Sequence, residues 1–238
     1  MKTILVINSK GGSGKTMVAT NLAAYFASNN FNTTIMDYDP QGSSLHWLSS
    51  RPQSLPAIHG ANAVRQKGNL LRSWQMAIPK NTDRLIIDSP ASVGGLLLQE
   101  MVRKSDALII PVAPSATDIH ATGHFVKDLF LVGQIRSNKT KAAVVANRVN
   151  CSDLLYDPLE RFLNLLRLPF LTRLSHSEKY VSASDQGMGI FEMDHKETIS
   201  ERNEFQPILS WLGSGGDRED ENTPDVIQLP TAKRRVLT

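Results

Sequence analysis

The chain has 238 residues, 41% of them apolar, and a formal net charge of +3 at pH 7. This length and composition fit one α/β domain with a single core, and the small net charge argues only weakly for a polyanionic partner. The single cysteine, Cys151, excludes an internal disulfide framework and the cysteine sets that zinc or iron–sulfur ligation by one chain would need. No apolar stretch approaches a membrane span or a secretory signal in length, so we expect a cytoplasmic protein.

Short apolar runs bounded by turn residues predict β-strands, and segments with helical periodicity separate them. The predicted strands are residues 3–7, 33–37, 84–88, 106–112 and 142–147. The predicted helices are residues 15–29, 60–77, 94–104, 117–133, 153–167, 177–186 and 195–212. Near-continuous Ile, Leu and Val runs are typical of strands covered on both faces. We therefore predict an α/β fold, a single doubly wound, mainly parallel sheet flanked by helices, with its ligand at the carboxyl ends of the strands.

The first predicted strand and helix are joined by a glycine-rich segment, the phosphate loop: Lys10, Gly11, Gly12, Ser13, Gly14, Lys15 and Thr16. Glycines let several backbone N–H groups point inward, and the helix N-terminus adds partial positive charge. The segment departs from the usual G-x-x-x-x-G-K-[ST] pattern, because Ser9 replaces the first glycine and Lys10 adds a second lysine. The pattern predicts a nucleoside triphosphate ligand.

Three aspartates follow predicted strands: Asp37 and Asp39 end the second, and Asp88 ends the third. The carboxyl ends of parallel strands meet at one edge, so these acids are expected beside the phosphate loop. We assign Lys15 to the β- and γ-phosphates, Thr16 to Mg²⁺, and Asp88 to a water on that Mg²⁺. Asp39 is the third residue predicted at the metal site, with Thr16 and Asp88, and it orients the attacking water. Asp37 braces the segment that follows its strand.

The extra lysine, Lys10, has two interpretations. A cation delivered from outside a phosphate loop can accelerate phosphoryl transfer by roughly 10³-fold or more. A lysine that precedes the loop cannot easily fold back onto its own nucleotide, so it would reach the phosphates of a partner across a two-fold axis. The alternative is a solvated lysine at the edge of the strand.

These motifs resemble those of the ParA/MinD superfamily of ATPases. Residues 10–16 look like its deviant Walker A motif, residues 37–42 like switch I, and residues 86–90 like Walker B and switch II. Residues 105–115, followed by Asp118, are similar to the short ParA-type branch that lacks a helix-turn-helix and includes ParF-like proteins. Residues 41–47 and 58–60 are also similar to McdA-like members. The resemblance covers residues 1–212.

The resemblance implies an ATPase with Mg²⁺ that forms an ATP-sandwich homodimer, in which Lys10 reaches across the interface. It implies slow hydrolysis stimulated by an adaptor protein, ATP-dependent nonspecific binding to nucleoid DNA, and positioning of a plasmid, a chromosome or a protein body such as a carboxysome. It adds the main-chain N–H of Met17 near the α-phosphate, where the family usually has threonine, and Asn147 and Arg148 on the adenine side. It also implies DNA contacts by Arg173, after the strand-like residues 169–171, and by Lys179.

Two alternatives to this function remain at this point. A MinD-like membrane-associated ATPase needs a terminal amphipathic helix, but residues 225–238 contain Pro230 and few apolar residues at helical spacing. A P-loop metabolic enzyme needs a substrate pocket that the sequence does not identify. Basic residues in 134–148 and 161–179 suit either nucleic-acid phosphates or solvated helix faces.

The segment from Gly213 onward differs in composition from the rest of the chain. Residues 213–216 are glycine and serine, residues 217–221 are a charge run, and Pro224 and Pro230 follow. We expect a disordered tail over 213–238, either docking an adaptor or only solvating the chain end.

Overall fold

Strands and helices alternate along the chain in a computed structural model that describes residues 1–64, 78–133, 135, 140–150, 156–166 and 168–213. The strands are β1 (Lys2–Val6), β2 (Thr33–Asp37), β3 (Ile58–Asn62), β4 (Arg84–Asp88), β5 (Ala107–Val112), β6 (Lys141–Val149) and β7 (Phe170–Ser175). The helices are α1 (Lys15–Ser28), α2 (Ser43–Ser49), α3 (Gly95–Arg103), α4 (Ala116–Leu131), α5 (Tyr156–Leu165), α6 (Glu178–Asp185) and α7 (His195–Gly213). A 3₁₀ turn, Ile190–Glu192, precedes α7.

The described strands form one sheet in the order β3-β2-β4-β1-β5-β6-β7, and every neighbouring pair is parallel. From β1 the chain passes to β2 and to β3 at one edge, returns to insert β4 between β2 and β1, and then builds the other side with β5, β6 and β7. The carboxyl end of β1 therefore lies where the winding reverses, which is the usual ligand position in such sheets. The predicted doubly wound α/β fold is confirmed.

Two apolar layers cover the sheet, one on each face. Alternate side chains of a strand point to opposite faces, so Ile4 and Val6 pack in one layer and Leu5 in the other. Residues of α1 and α7 cover the first layer, and residues of α3, α4 and α5 cover the second. This burial on both faces fixes the register of β1 and so the position of the phosphate loop that follows it.

The structure differs from the predicted elements at three places. The helix predicted over 60–77 is wrong at its start, because residues 58–62 form β3 beside β2 and residues 65–77 lie outside the described part of the chain. Helix α2 was not predicted, since its seven residues lack an apolar helical repeat. Strand β7 was recognised only over residues 169–171 and extends to Ser175.

Some predictions concern residues outside the described ranges. They concern Cys151, three members of the basic stretches 134–148 and 161–179 (Arg136, Lys139 and Arg167), and the tail beyond Gly213, the residue at which α7 ends. Within the described residues, none of the helices combines the length and apolarity required to cross a bilayer.

Candidate nucleotide site

The phosphate loop depends on glycines with left-handed backbone conformations. Gly12 has φ 79° and Gly14 has φ 92°, a region that L side chains rarely adopt. A Cβ at Gly14 would also lie 1.9 Å from Nδ2 of Asn147, so no larger residue fits there. Helix α1 starts at the next residue, and no side-chain cap occupies its N-terminus in the described structure. The loop therefore presents free amides and the positive end of a helix to the same place.

The two lysines of the loop differ in environment. Lys15 is only 7% exposed, and its Nζ donates to the carbonyl oxygen of Lys10 at 3.1 Å. Burial lowers the pKa of Lys15, and the charges of Asp88 and Asp39 partly offset this effect. The amide of Lys10 donates to Oδ1 of Asn8 at 3.1 Å. The backbone of Lys10 is thus held from both sides, while its side chain lies at the half-buried rim of the site.

Asn8 is a positioning residue that the sequence analysis missed. It is completely buried, and its Nδ2 donates to the carbonyl oxygen of Pro111 at 2.8 Å and to Oγ1 of Thr122 at 3.2 Å. These bonds join the start of the phosphate loop to β5 and α4. The available signal was an amide side chain at the end of an apolar strand, because a buried polar group requires partners.

Thr16 and Asp88 meet at the centre of the site. Oγ1 of Thr16 donates to Oδ2 of Asp88 at 2.7 Å, and Asp88 is 1% exposed. Its Oδ1 is buried without a hydrogen-bond partner among the described residues. Burial raises the pKa of Asp88 to about 7, against the lowering effect of the Thr16 hydrogen bond. A hydroxyl and an unpaired carboxylate oxygen fit Mg²⁺ with its waters, since this ion prefers oxygen ligands and keeps several waters.

The two aspartates after β2 have different surroundings. Asp37 is completely buried; its Oδ1 accepts from the amide of Asp39 at 2.8 Å, and its Oδ2 accepts from the amide and Oγ of Ser44 at 3.0 and 2.7 Å. Asp39 is half-buried, and its Oδ1 accepts from the amide of Gln41 at 2.9 Å. These bonds agree with the bracing role predicted for Asp37 and leave Asp39 at the accessible rim.

Asn147 and Arg148 lie near the end of β6, with Asn147 against the phosphate loop. Nδ2 of Asn147 donates to the carbonyl oxygen of Ser13 at 2.8 Å. Oδ1 of Asn147 and Oγ of Ser13 are buried without hydrogen-bond partners in the described structure. Arg148 is exposed and has φ 56°, which is uncommon for a residue other than glycine. Their predicted adenine-side contacts stay a prediction, as does the α-phosphate contact of Met17 in the first turn of α1.

Arg173 and Lys179 are not brought to this site. Arg173 is exposed on β7, the edge strand of the sheet, and Lys179 lies in the first turn of α6. Nζ of Lys179 is 3.3 Å from Oε2 of Glu201 and also donates to the carbonyl oxygen of Glu197. Their predicted DNA contacts also stay a prediction.

Comparisons with known proteins agree with this geometry. The family model described as the CobQ/CobB/MinD/ParA nucleotide binding domain matches residues 4–190. The maintenance of carboxysome distribution protein A of Halothiobacillus neapolitanus is 25% identical over 196 residues, which cover 80% of this chain and 87% of that protein.

Solved structures share the fold. Apo McdA from Cyanothece has a TM-score of 0.69 at 18% identity, over 88% of this chain and 99% of that one. A putative plasmid partition protein from Borrelia burgdorferi bound to AMPPNP has a TM-score of 0.67 at 14% identity, again over 88% and 99%. At these sequence identities the structural similarity shows the fold alone. The family match spans more than half of the chain and confirms the ParA/MinD resemblance: the protein belongs to the CobQ/CobB/MinD/ParA nucleotide-binding family.

Proposed function

We propose that this protein is a ParA-type ATPase that positions or segregates a cargo inside the cell. The similarity to a carboxysome-distribution protein along 87% of that protein's length supports a positioning role. The cargo is a plasmid, a chromosome or a protein body such as a carboxysome. An adaptor on that cargo stimulates an otherwise slow hydrolysis of ATP.

The observation that carries the proposed chemistry is the Thr16–Asp88 pair, with its unpaired carboxylate oxygen beside the phosphate loop. The N-terminal amides of α1 and the ammonium of Lys15 bind the phosphate oxygens. Thr16 and Asp88 hold Mg²⁺, which neutralises charge on the phosphates when bound. Asp39 orients the attacking water from the rim. Positioning and charge stabilisation of this kind account for most of the catalysis of phosphoryl transfer.

Lys10 makes the ATP-bound state dimeric in this proposal. Its backbone is anchored by Asn8 and Lys15, so its side chain starts from a fixed point at the rim of the site. From there the ammonium group of Lys10 binds the nucleotide of a second copy. Lys10 of that copy binds the nucleotide of the first in the same way. Nucleotide binding and dimerisation are then coupled, because each nucleotide is completed by both copies.

The ATP-bound dimer binds nucleoid DNA without sequence preference. Arg173 contributes to this contact from an exposed position on the edge strand β7, and Lys179, which pairs with Glu201, adds to it. Contacts of this type release counterions, so the affinity falls steeply with added salt. DNA affinity that does not depend on the nucleotide would contradict this part of the proposal.

The test is a Lys10→Ala variant compared with wild type by light scattering after gel filtration, with Mg²⁺ and either ADP or a non-hydrolysable ATP analogue. We expect wild type to dimerise only with the ATP analogue, and Lys10→Ala to bind the analogue as a monomer. Lys127→Ala, on the exposed face of α4, is the matched control and should behave as wild type. A wild-type chain that stays monomeric with the analogue, or a Lys10→Ala chain that dimerises normally, overturns the proposed dimer.

A further inference from the structure

Helix α4 carries two exposed histidines one turn apart. His120 and His124 are four residues apart on the helix, and their ring centroids lie 4.8 Å from each other with the ring planes at 44°. Residues at this spacing are neighbours on one face of a helix. Neither ring makes a hydrogen bond or an ion pair with another residue of the described part of the chain. The ring nitrogens are therefore open to a ligand from solvent.

The spacing of the two rings suits two ligands of one metal ion. An ion about 2.1 Å from one nitrogen of each ring, at a tetrahedral or square-planar angle, places the ring centroids about 4.5–5.2 Å apart. The observed separation of 4.8 Å lies within this range. Rotation about side-chain bonds is then sufficient to direct one nitrogen of each ring at the same ion, and the backbone does not have to move.

The rest of the fold fixes the turn that carries both histidines. Thr122, which lies between them, is completely buried, and its Oγ1 accepts from Nδ2 of Asn8 at 3.2 Å. The start of the helix is capped by Ser115, whose Oγ accepts from the amide of Asp118 at 3.1 Å. Because the two backbone positions are set before any ligand arrives, binding has little backbone to order.

The chemistry of the pair selects one class of ion. Imidazole nitrogens suit Cu²⁺, Ni²⁺ and Zn²⁺, whereas Mg²⁺ prefers oxygen ligands. Among the described residues no third His, Cys, Asp or Glu joins the two rings in a group that could hold a metal ion, so water fills the remaining coordination positions. The next turn of the helix carries Lys127 and Asp128, both exposed and opposite in charge, so their effects on an approaching cation largely cancel.

We propose that His120 and His124 form a two-ligand site for a divalent transition-metal ion such as Cu²⁺, Ni²⁺ or Zn²⁺. The site is separate from the nucleotide site and does not depend on the function proposed above. Two ligands held on one scaffold bind far more tightly than either does alone, so the loss of one imidazole should weaken metal binding by roughly 100-fold.

The experiment titrates Ni²⁺ into the full-length, untagged chain by isothermal titration calorimetry, without nucleotide or Mg²⁺. The variants are His120→Ala, His124→Ala and the double change His124→Ala with Lys127→His. The double variant keeps the number of histidines but separates the two rings by two turns of the helix. The control is His195→Ala, which removes an exposed histidine at the start of α7. Circular dichroism and binding of a fluorescent ATP analogue check that every variant is folded.

We expect wild type and His195→Ala to bind one Ni²⁺ per chain with equal affinity, and millimolar Mg²⁺ not to displace it. Both single variants and the double variant should bind Ni²⁺ roughly 100-fold more weakly, with unchanged affinity for the ATP analogue. The proposed site is wrong if wild type does not bind Ni²⁺, or if either single variant binds it as tightly as wild type. Equal affinity in wild type and the double variant would also overturn it, because Ni²⁺ would then bind to separate surface imidazoles.

Discussion

The nucleotide edge (residues 10–16, 37–42, 88 and 147) and the β7–α6 surface (residues 173–180) both carry polar side chains, but they differ in how the hydrogen bonds of these side chains are satisfied. At the nucleotide edge, buried oxygens of Ser13, Asp88 and Asn147 have no hydrogen-bond partner among the described residues. At the β7–α6 surface, Glu204 accepts from the amide and hydroxyl of Ser175, and Glu201 accepts from Ser177 and Lys179. Unsatisfied buried groups indicate a ligand, whereas satisfied ones mainly hold the fold.

The largest expected effect is at Lys15. The Lys15→Ala change removes the buried ammonium that faces the phosphate oxygens, so nucleotide affinity should fall by roughly 100-fold or more. Titration with a fluorescent ATP analogue measures this loss, and Lys127→Ala is the control for a lysine outside the site. Unchanged affinity in Lys15→Ala would contradict the assignment of the phosphate loop.

The next effect is at Asp39. The Asp39→Ala change should leave ATP binding intact, reduce phosphate release by roughly 100-fold, and let ATP-bound dimers accumulate. The matched comparison is Asp37→Ala, which leaves four donors of its segment without this acceptor and should lower the free energy of unfolding by roughly 3 kcal/mol or more. An Asp39→Ala chain that hydrolyses ATP at the wild-type rate would remove Asp39 from its proposed role.

A smaller effect concerns the protonation of Asp88. Burial raises its pKa to about 7 from the ordinary 3.8, so the folded chain retains a proton that the unfolded chain loses. Stability from this group is therefore highest below pH 4 and falls as the pH rises toward 7. Mg²⁺ binding requires the carboxylate form of Asp88. The affinity of the nucleotide-bound protein for Mg²⁺ should therefore fall by up to roughly tenfold per pH unit below pH 7.

One substitution, Asp88→Asn, tests this pH dependence. Asp88→Asn cannot titrate, so both pH profiles should become flatter, measured by chemical denaturation without nucleotide and by Mg²⁺ titration with it. Equal slopes in wild type and Asp88→Asn would show that another group is responsible.

The smallest effect is expected at Lys179. Its ammonium already binds Glu201 and the carbonyl oxygen of Glu197, so Lys179→Ala should reduce ATP-dependent DNA affinity by less than about threefold. Arg173→Ala should cost more, because Arg173 is exposed on the edge strand. Fluorescence anisotropy with nonspecific duplex DNA measures both. A larger loss of DNA affinity in Lys179→Ala than in Arg173→Ala would contradict this ranking.

The sequence was sufficient to predict the elements that depend on a local pattern. The run Ile4–Ile7 followed by glycines predicted β1, the phosphate loop and α1, and the comparisons confirm the family to which they belong. The strand β3 was missed because Gly60 and Asn62 have low β-propensity, so its placement depends on pairing with β2.

Long-range contacts had no sequence signal. The hydrogen bond from Asn147 to Ser13 joins residues 134 positions apart, and that from Asn8 to Thr122 joins residues 114 positions apart. Neither pair shows a pattern in one sequence, because only the folded sheet brings its members together. The ion pair between Lys179 and Glu201 was unpredictable for the same reason, although it changes what can be expected of that lysine.

Helix α2 is fastened at its far end. Arg51 and Glu192 form an almost completely buried ion pair, and Nε1 of Trp47 donates to the carbonyl oxygen of Met188 at 3.1 Å. Separating such a pair would leave a charge buried without its partner, which opposes movement of the end of α2 away from Glu192. We therefore expect any response to ATP between β2 and α2 to be confined to the turn from Tyr38 to Gly42. Such a response reorients the carboxylate of Asp39 and does not displace the helix.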